Sequence, residues 1–411
     1  MSYKGGLDPE TASVSEGYEP AESLGSVKPP VYMTSTFATE TAAETKRYIE
    51  LLYGLAEGAE DEEPGFIYTR LDGPNLRVAE ARIAAWEDAE DAIVTNSGMS
   101  AITTVLLTLL RPGALVLHSN PLYGGTSTVI RRVLSQWEVE AISFDAQTSE
   151  AEVAALAEDD RLALIYLETP ANPTNDLFDI ALASRVASSR QVPLVVDNTF
   201  LSPVWQRPLE HGADLVIHSA TKYLGGHSDL TAGAVCGGGS LIERLRHTRY
   251  RIGSTADPMT AWLLGRSLET LGLRVRRQTE NATRVASFLD GHPAVSEVNH
   301  LSLIPEGDPR REIYDRQCLG PGAMISFEVM GGEDGAFRFL DALKLVRLAV
   351  SLGGTESLVS HPWTTSHATS SPEEKLALGI TAGTIRLSVG IEAPQDLIAD
   401  LDQALQTTAS L

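Results

Sequence analysis

A chain of 411 residues with 43% hydrophobic content, 34 glycines and 21 prolines holds enough apolar material for a large buried core, and two domains or more are expected. A formal net charge of −23 argues against nucleic acid or an anionic membrane as partner, no apolar run reaches the roughly 18 residues of a membrane span, and Met1-Ser2-Tyr3-Lys4-Gly5-Gly6 lacks a signal-peptide core, so a cytoplasmic location is expected. Two cysteines, Cys236 and Cys318, exclude a disulfide framework and a thiolate metal cluster, and both read as small buried hydrophobes.

Strand pattern is scarce from the N-terminus to about Gly65. Val27-Lys28-Pro29-Pro30-Val31-Tyr32 is an extended segment fixed by two prolines, an arm rather than a domain, and Glu57, Glu60, Asp61, Glu62 and Glu63 read as a solvated acidic loop. From Phe66 to Asp257, short apolar runs alternate with amphipathic stretches. Ser97-Gly98-Met99-Ser100-Ala101-Ile102 reads as a helix start, and its free N–H groups suit an anion. Strands follow at Ala114–Leu117, Leu162–Leu167, Leu194–Val196 and Leu215–Ile217, with a helix over Glu150–Glu158 between the first two. That alternation predicts a mostly parallel sheet covered by helices. Gly237-Gly238-Gly239 reads as a hairpin turn. After Pro258 a long helical stretch runs to about Leu289, followed by a strand at Ala323–Val329 and helices near Asp334–Leu343 and Gln395–Leu405, the pattern of a smaller α+β part.

Two of these strands carry the chemistry. Ala213–His218 is followed by Ser219-Ala220-Thr221-Lys222-Tyr223-Leu224-Gly225-Gly226, which seats one lysine among small hydroxyl residues at a buried strand end. Lost hydration there lowers an amine's pKa and frees it as a nucleophile for carbonyl capture, although a lone strand-end lysine more often reaches out to solvent. Lys222 is not alone: the run Leu194-Val195-Val196 ends in Asp197, and strand ends of an α/β sheet are where ligands bind. A lysine that captures an aldehyde and a carboxylate that keeps a ring nitrogen protonated are two parts of a pyridoxal 5′-phosphate (PLP) site. Its phosphate falls to the hydroxyls of Ser219 and Thr221 and to the helix start at Gly98. Other chemistries lack motif support: there is no Walker A, G-x-G-x-x-G or H-E-x-x-H pattern, Gly226-His227-Ser228-Asp229-Leu230 lacks the closing glycine of a hydrolase elbow, and His361 with His367 is weak as a metal pair. No metal is expected.

Several ordered segments together resemble one family, the PLP-dependent enzymes of cysteine and methionine metabolism that include cystathionine γ-synthase, cystathionine γ-lyase and methionine γ-lyase. They are Pro29–Phe37, Tyr68-Thr69-Arg70, Ser97-Gly98-Met99, Leu122-Tyr123-Gly124-Gly125-Thr126, Glu168-Thr169-Pro170-Ala171-Asn172-Pro173-Thr174, Val196-Asp197-Asn198-Thr199, the Lys222 segment, Ser351–Leu358 and Ile385–Gly390. The resemblance implies the aspartate aminotransferase-like fold (fold type I), with residues 1–65 as an arm, 66–257 as a PLP-binding large domain and 258–411 as a small α+β domain. Lys222 would carry PLP, Asp197 would pair with the ring nitrogen, Tyr123 would stack on the ring and influence proton transfer, and Gly98, Met99, Ser219 and Thr221 would hold the phosphate. Tyr68 and Arg70 would cross to the phosphate of a neighbouring subunit, in a tetramer built from two such dimers. Arg386 would clamp the substrate carboxylate, assisted by Asn172 and Ser351.

The implied reaction is γ-elimination from a γ-substituted L-amino acid such as methionine or cystathionine, giving a 2-oxo acid, ammonia and a thiol. The alternative is γ-replacement, as in cystathionine γ-synthase or O-acylhomoserine sulfhydrylase. A non-catalytic scaffold is disfavoured, because every cofactor position holds a chemically able residue. The sequence also departs from the family. Gly73-Pro74-Asn75 stands where many relatives have Asn-Pro-Thr, and Gly125 where methionine γ-lyases typically carry cysteine. Pro362-Trp363-Thr364-Thr365-Ser366-His367 puts an aromatic where the usual segment ends in Met-Thr-His, and Tyr48–Pro64 reads as an insertion.

Overall fold

The computed structural model describes residues 6–58, 65–368 and 370–408. Seven strands form the larger sheet: β1 (Asp91–Thr95), β2 (Leu115–Ser119), β3 (Glu140–Phe144), β4 (Leu162–Glu168), β5 (Leu194–Asp197), β6 (Leu215–His218) and β7 (Gly233–Gly237). Their order is β1-β7-β6-β5-β4-β2-β3. The pairs from β3 to β6 are parallel, whereas β7 runs antiparallel to both β1 and β6. Successive side chains point to opposite faces. Val116, Leu164, Tyr166, Val195 and Ile217 therefore pack under the helix Gly98–Leu109. Leu117, Ile165, Leu167, Leu194 and Val196 pack with the helices Glu150–Leu156 and Ile180–Arg190 on the other side. Burial on both faces is why these strands read as unbroken apolar runs.

The smaller sheet holds β8 (Val295–Asn299), β9 (Met324–Val329), β10 (Arg347–Leu348), β11 (Leu358–Ser360) and β12 (Thr384–Ser388), in the order β10-β11-β12-β9-β8. It is antiparallel except for the β10–β11 pair. The helices Leu271–Asp290, Gly332–Ala342 and Pro394–Leu405 pack with it, which makes this the expected α+β part.

Two readings are corrected. Gly237-Gly238-Gly239 is no hairpin: Gly237 ends β7 and Gly238 caps the helix Gly239–Ile252. A Cβ on Gly237 would come within 2.4 Å of the Asp214 carbonyl, so the glycine serves close strand approach. The stretch after Pro258 is two helices, Pro258–Leu268 and Leu271–Asp290. They part at Glu269, whose carboxylate is drawn to Arg82 at 2.9 Å and Lys28 at 2.6 Å. The arm contains helices at Pro9–Ser15 and Ala42–Leu52, and the first packs on the helix Pro74–Glu87. Its proline segment is pinned to its own chain, with Trp262 Nε1 donating to the Pro29 carbonyl at 2.8 Å and Asn75 Nδ2 to the Pro30 carbonyl at 2.8 Å. The acidic cluster Glu60–Glu63 lies outside the described residues.

Candidate active site

The ends of β4, β5 and β6 open into a cavity of about 650 Å3, closed on the far side by β12 and the segments around Ser351 and Ser366. Lys222 sits in the turn after β6, which is folded by bonds from Lys222 N to the Ser219 carbonyl (3.0 Å) and from Gly226 N to the Lys222 carbonyl (2.6 Å). Its Nζ donates to Ser351 Oγ at 2.7 Å. Burial, reinforced by the positive charge of Arg386, pulls the Lys222 ammonium down to about 8.

Asp197 ends β5. Its Oδ1 accepts from the Thr199 amide (3.1 Å) and hydroxyl (2.6 Å), while among the described residues Oδ2 has only the Tyr166 hydroxyl at 3.4 Å. Burial pushes its carboxyl up, opposed by the Thr199 hydrogen bonds and by His218. On the neighbouring strand, in register with it, lies Glu168. Burial and then the charge of Asp197 push the Glu168 carboxyl up, against hydrogen bonds from the backbone amides of Tyr123 (2.6 Å) and Asn172 (2.9 Å). A carboxylate with an open oxygen in so dry a place suits a cationic N–H partner.

Opposite lies the start of the helix Gly98–Leu109. Ser97 Oγ caps it by accepting from Ser100 N at 3.1 Å, which leaves the amides of Gly98 and Met99 without acceptors among the described residues. A Cβ on Gly98 would sit 2.8 Å from both Cβ and Oγ of Ser219, so helix start and lysine turn meet only because residue 98 is glycine. The Ser219 amide donates to Thr199 Oγ1 at 2.9 Å, linking this cradle to Asp197. The Thr221 hydroxyl is already engaged, donating to the Ala232 carbonyl (3.1 Å) and accepting from its amide (3.0 Å).

Arg386, on β12, is 8% exposed, and burial pulls its guanidinium down to about 10, still a cation at neutral pH. Nη1 donates to Asn172 Oδ1 and Nη2 to the Ser351 carbonyl, both at 3.0 Å, and Nε is buried without an acceptor. Ser351 reaches this position at φ +94°, in the left-handed region that non-glycine residues avoid. Tyr123 is 42% exposed at the cavity mouth, and its ring lies over Gly125, where a Cβ would come 2.5 Å from Tyr123 Cε1.

Ten expected residues thus line one cavity: Lys222, Asp197, Tyr123, Gly98, Met99, Ser219, Thr221, Arg386, Ser351 and Asn172. Tyr68 and Arg70 do not. Tyr68 bridges to Thr36, and Arg70 donates to the Tyr250 carbonyl at 2.6 Å. Glu168 and Thr199 also line the cavity, beyond the residues expected there. Glu168 carries the signal that singled out Asp197, a first carboxylate after a buried apolar run.

These residues fit PLP. There is a desolvated amine, a buried carboxylate with an open oxygen, two unpaired amides beside the Ser219 hydroxyl for a phosphate, and an aromatic ring at the mouth. The profile of the Cys/Met metabolism PLP-dependent enzyme family matches residues 10–406. L-methionine γ-lyase of Pseudomonas putida is 41% identical over 97% of this chain and 97% of its own length. Cystathionine γ-lyase of Bacillus subtilis is 37% identical over 97% and 99%. A crystal structure of cystathionine γ-synthase from Xanthomonas oryzae superposes with a TM-score of 0.88 at 35% identity, covering 98% of this chain and 100% of that one.

Proposed function

The chain belongs to the PLP-dependent enzymes of Cys/Met metabolism, and we propose that it carries out γ-elimination on an L-amino acid whose side chain bears one sulfur-linked apolar group, as methionine does. The products are a 2-oxo acid, ammonia and a thiol. One observation carries the choice: the only basic residues lining the cavity, among the described residues, are Lys222 and Arg386. With Lys222 engaged by the cofactor, Arg386 is the single receiver for a carboxylate. The wall is otherwise rich in apolar groups, including Met99, Ile102, Phe200, Val350 and Leu352. A second amino-acid head, as in cystathionine, would enter this chain's cavity with no counter-charge for its carboxylate.

PLP, when bound, supplies a carbonyl carbon for capture of the amino group and an electron sink for the charge that forms at Cα. Lys222 Nζ, held by Ser351 Oγ, would take the Cα proton, give that proton up to the cofactor and, neutral again, take the Cβ proton as the Cγ substituent leaves with the bonding electron pair. Arg386 grips the α-carboxylate, steered by Asn172 and the Ser351 carbonyl. Asp197, braced by Thr199, keeps the ring nitrogen protonated, and the Gly98 and Met99 amides with Ser219 bind the phosphate. Tyr123, at the mouth, hands a proton to the departing sulfur.

The site is completed, on this reading, by a second copy of the chain. Tyr68 and Arg70 lie outside their own cavity, and Leu24, Val27 and Met33 on the arm are exposed. A dimer that shares Tyr68 and Arg70, paired again into a tetramer, accounts for both. The same reading keeps 1–65 as arm, 66–257 as PLP-binding part and 258–411 as small part. Among the described residues no helix is long and apolar enough to cross a membrane; a cytoplasmic location remains part of the proposal.

Mass spectrometry of products from methionine, cystathionine and O-acylhomoserines, each with and without cysteine, tests the reading. A 2-oxo acid and a thiol from methionine are expected. A new thioether amino acid formed only when cysteine accompanies an O-acylhomoserine, with methionine inert, would assign γ-replacement instead.

A further inference from the structure

The cavity wall next to Tyr123 is made by the turn that follows β11, and this turn has an unusual anchor. Thr365 and Ser366 line the cavity, and the Ser366 carbonyl lies where a Cβ on Gly124 would meet it at 2.7 Å. The turn is tied within itself, with the Thr365 hydroxyl donating to the His361 carbonyl (2.7 Å) and the His367 amide to the Pro362 carbonyl (3.0 Å). His361 secures its base: Nε2 donates to the Ala382 carbonyl at 2.9 Å, so Nδ1 accepts from the Thr364 hydroxyl, also at 2.9 Å. Neither set of bonds fixes the outer side of the turn.

Trp363 does. The ammonium of Lys375 lies 4.6 Å from the centroid of the Trp363 ring. Lys375 is only 7% exposed, and no carboxylate pairs with it among the described residues. A buried cation without an anion is costly, and an indole face is the best aromatic substitute for one. Lys375 is itself fixed, in the helix Pro372–Ala377, by a capping box between Ser371 and Glu374 and by the bond from the buried Ile380 amide to its carbonyl at 2.9 Å.

We propose that Trp363 and Lys375 are a positioning pair that presses the Thr365-Ser366 wall against Tyr123-Gly124 and thereby sets the space for the substrate's γ-substituent. The pair touches neither substrate nor cofactor. Its effect falls on long side chains, which reach the wall beside Tyr123, and spares short ones. This rests on the cavity being the amino-acid site, and the test uses ligands that bind whether or not a γ-group leaves.

L-Norleucine and L-alanine are titrated into PLP-loaded enzyme, with the change in the cofactor's visible band read as binding. Lys375→Met and Trp363→Leu should each weaken L-norleucine about fivefold or more while leaving L-alanine within about twofold. The double variant should be no worse than either single one, because each removes the same contact. Lys375→Arg, which keeps a cation over the ring, should restore L-norleucine to within about twofold of the parent. PLP content and the thermal midpoint check folding, and Trp363→Phe serves if Trp363→Leu fails to fold. Equal weakening of both ligands, losses that multiply in the double variant, or unchanged L-norleucine binding in Lys375→Met would each overturn the pairing. Normal L-norleucine discrimination with no turnover of methionine would instead keep the pair and refute the methionine-type substrate.

Discussion

Lys222 and Ser351 stand 129 residues apart in the chain and meet at 2.7 Å, Nζ to Oγ. The carbonyl of the same serine accepts from Arg386 at 3.0 Å, and the backbone takes a left-handed conformation to offer both groups at once. One residue therefore links the Lys222 amine to the Arg386 guanidinium inside the cavity.

Because burial and Arg386 pull the Lys222 ammonium down to about 8, the reactive neutral amine is present well below the ordinary lysine range. The rate at which PLP attaches to the apoprotein should rise with pH through about 8 and level off roughly one unit above. Stopped-flow growth of the visible band measures it. A midpoint near the ordinary lysine value of about 10.4 would show that the folded site does not depress the amine.

Asp197→Asn keeps the shape and the Thr199 contacts but loses the charge that stabilises a protonated ring nitrogen. Turnover should drop by about 100-fold or more, with the thermal midpoint of the apoprotein near that of the parent. Retention of most of kcat would remove Asp197 from the role of ring partner.

Arg386→Lys replaces a planar fork by a point charge, and the lysine leaves Asn172 or Ser351 without its donor. Loss of one charged hydrogen bond is worth about 1.5–3 kcal/mol, so kcat/KM should fall roughly tenfold to a hundredfold, largely through KM. An unchanged KM for the amino acid would place the carboxylate elsewhere.

Lys222→Ala alone should abolish turnover together with borohydride fixation of PLP to the chain. Arg70→Ala alone should be nearly inactive, through loss of a phosphate ligand to a neighbour. Co-expressed, the two should regain part of the activity, since one hybrid site of a mixed dimer has both side chains intact. Hybrids verified by native mass spectrometry that stay inactive would assign Arg70 to its own subunit.

Much of the site was legible because β5 and β6 are buried on both faces and end abruptly in Asp197 and in the Lys222 turn. The edge strand β3 escaped notice since only Phe144 is fully buried, so its alternation is faint. At the break, Glu269 is paired with Arg82, 187 residues away, and local periodicity is blind to such a contact. The same holds for Ser351 meeting Lys222: their motifs were each visible, but their contact belongs to the packing of two sheets. Trp363 was conspicuous in the sequence, whereas its partner Lys375 sits in an unremarkable polar stretch.

The carboxylate of Glu168 accepts the amides of both Tyr123 and Asn172. One amide belongs to the ring over the cavity mouth and the other to the residue that steers Arg386, so two loops from different crossovers share a single hinge pin. A change that re-aims the 121–125 loop should therefore also disturb Asn172 and, through it, the Arg386 side chain proposed to hold the substrate carboxylate. Libraries that randomise either the 121–125 loop or the 170–174 loop alone should be poorer in improved variants than libraries that vary both.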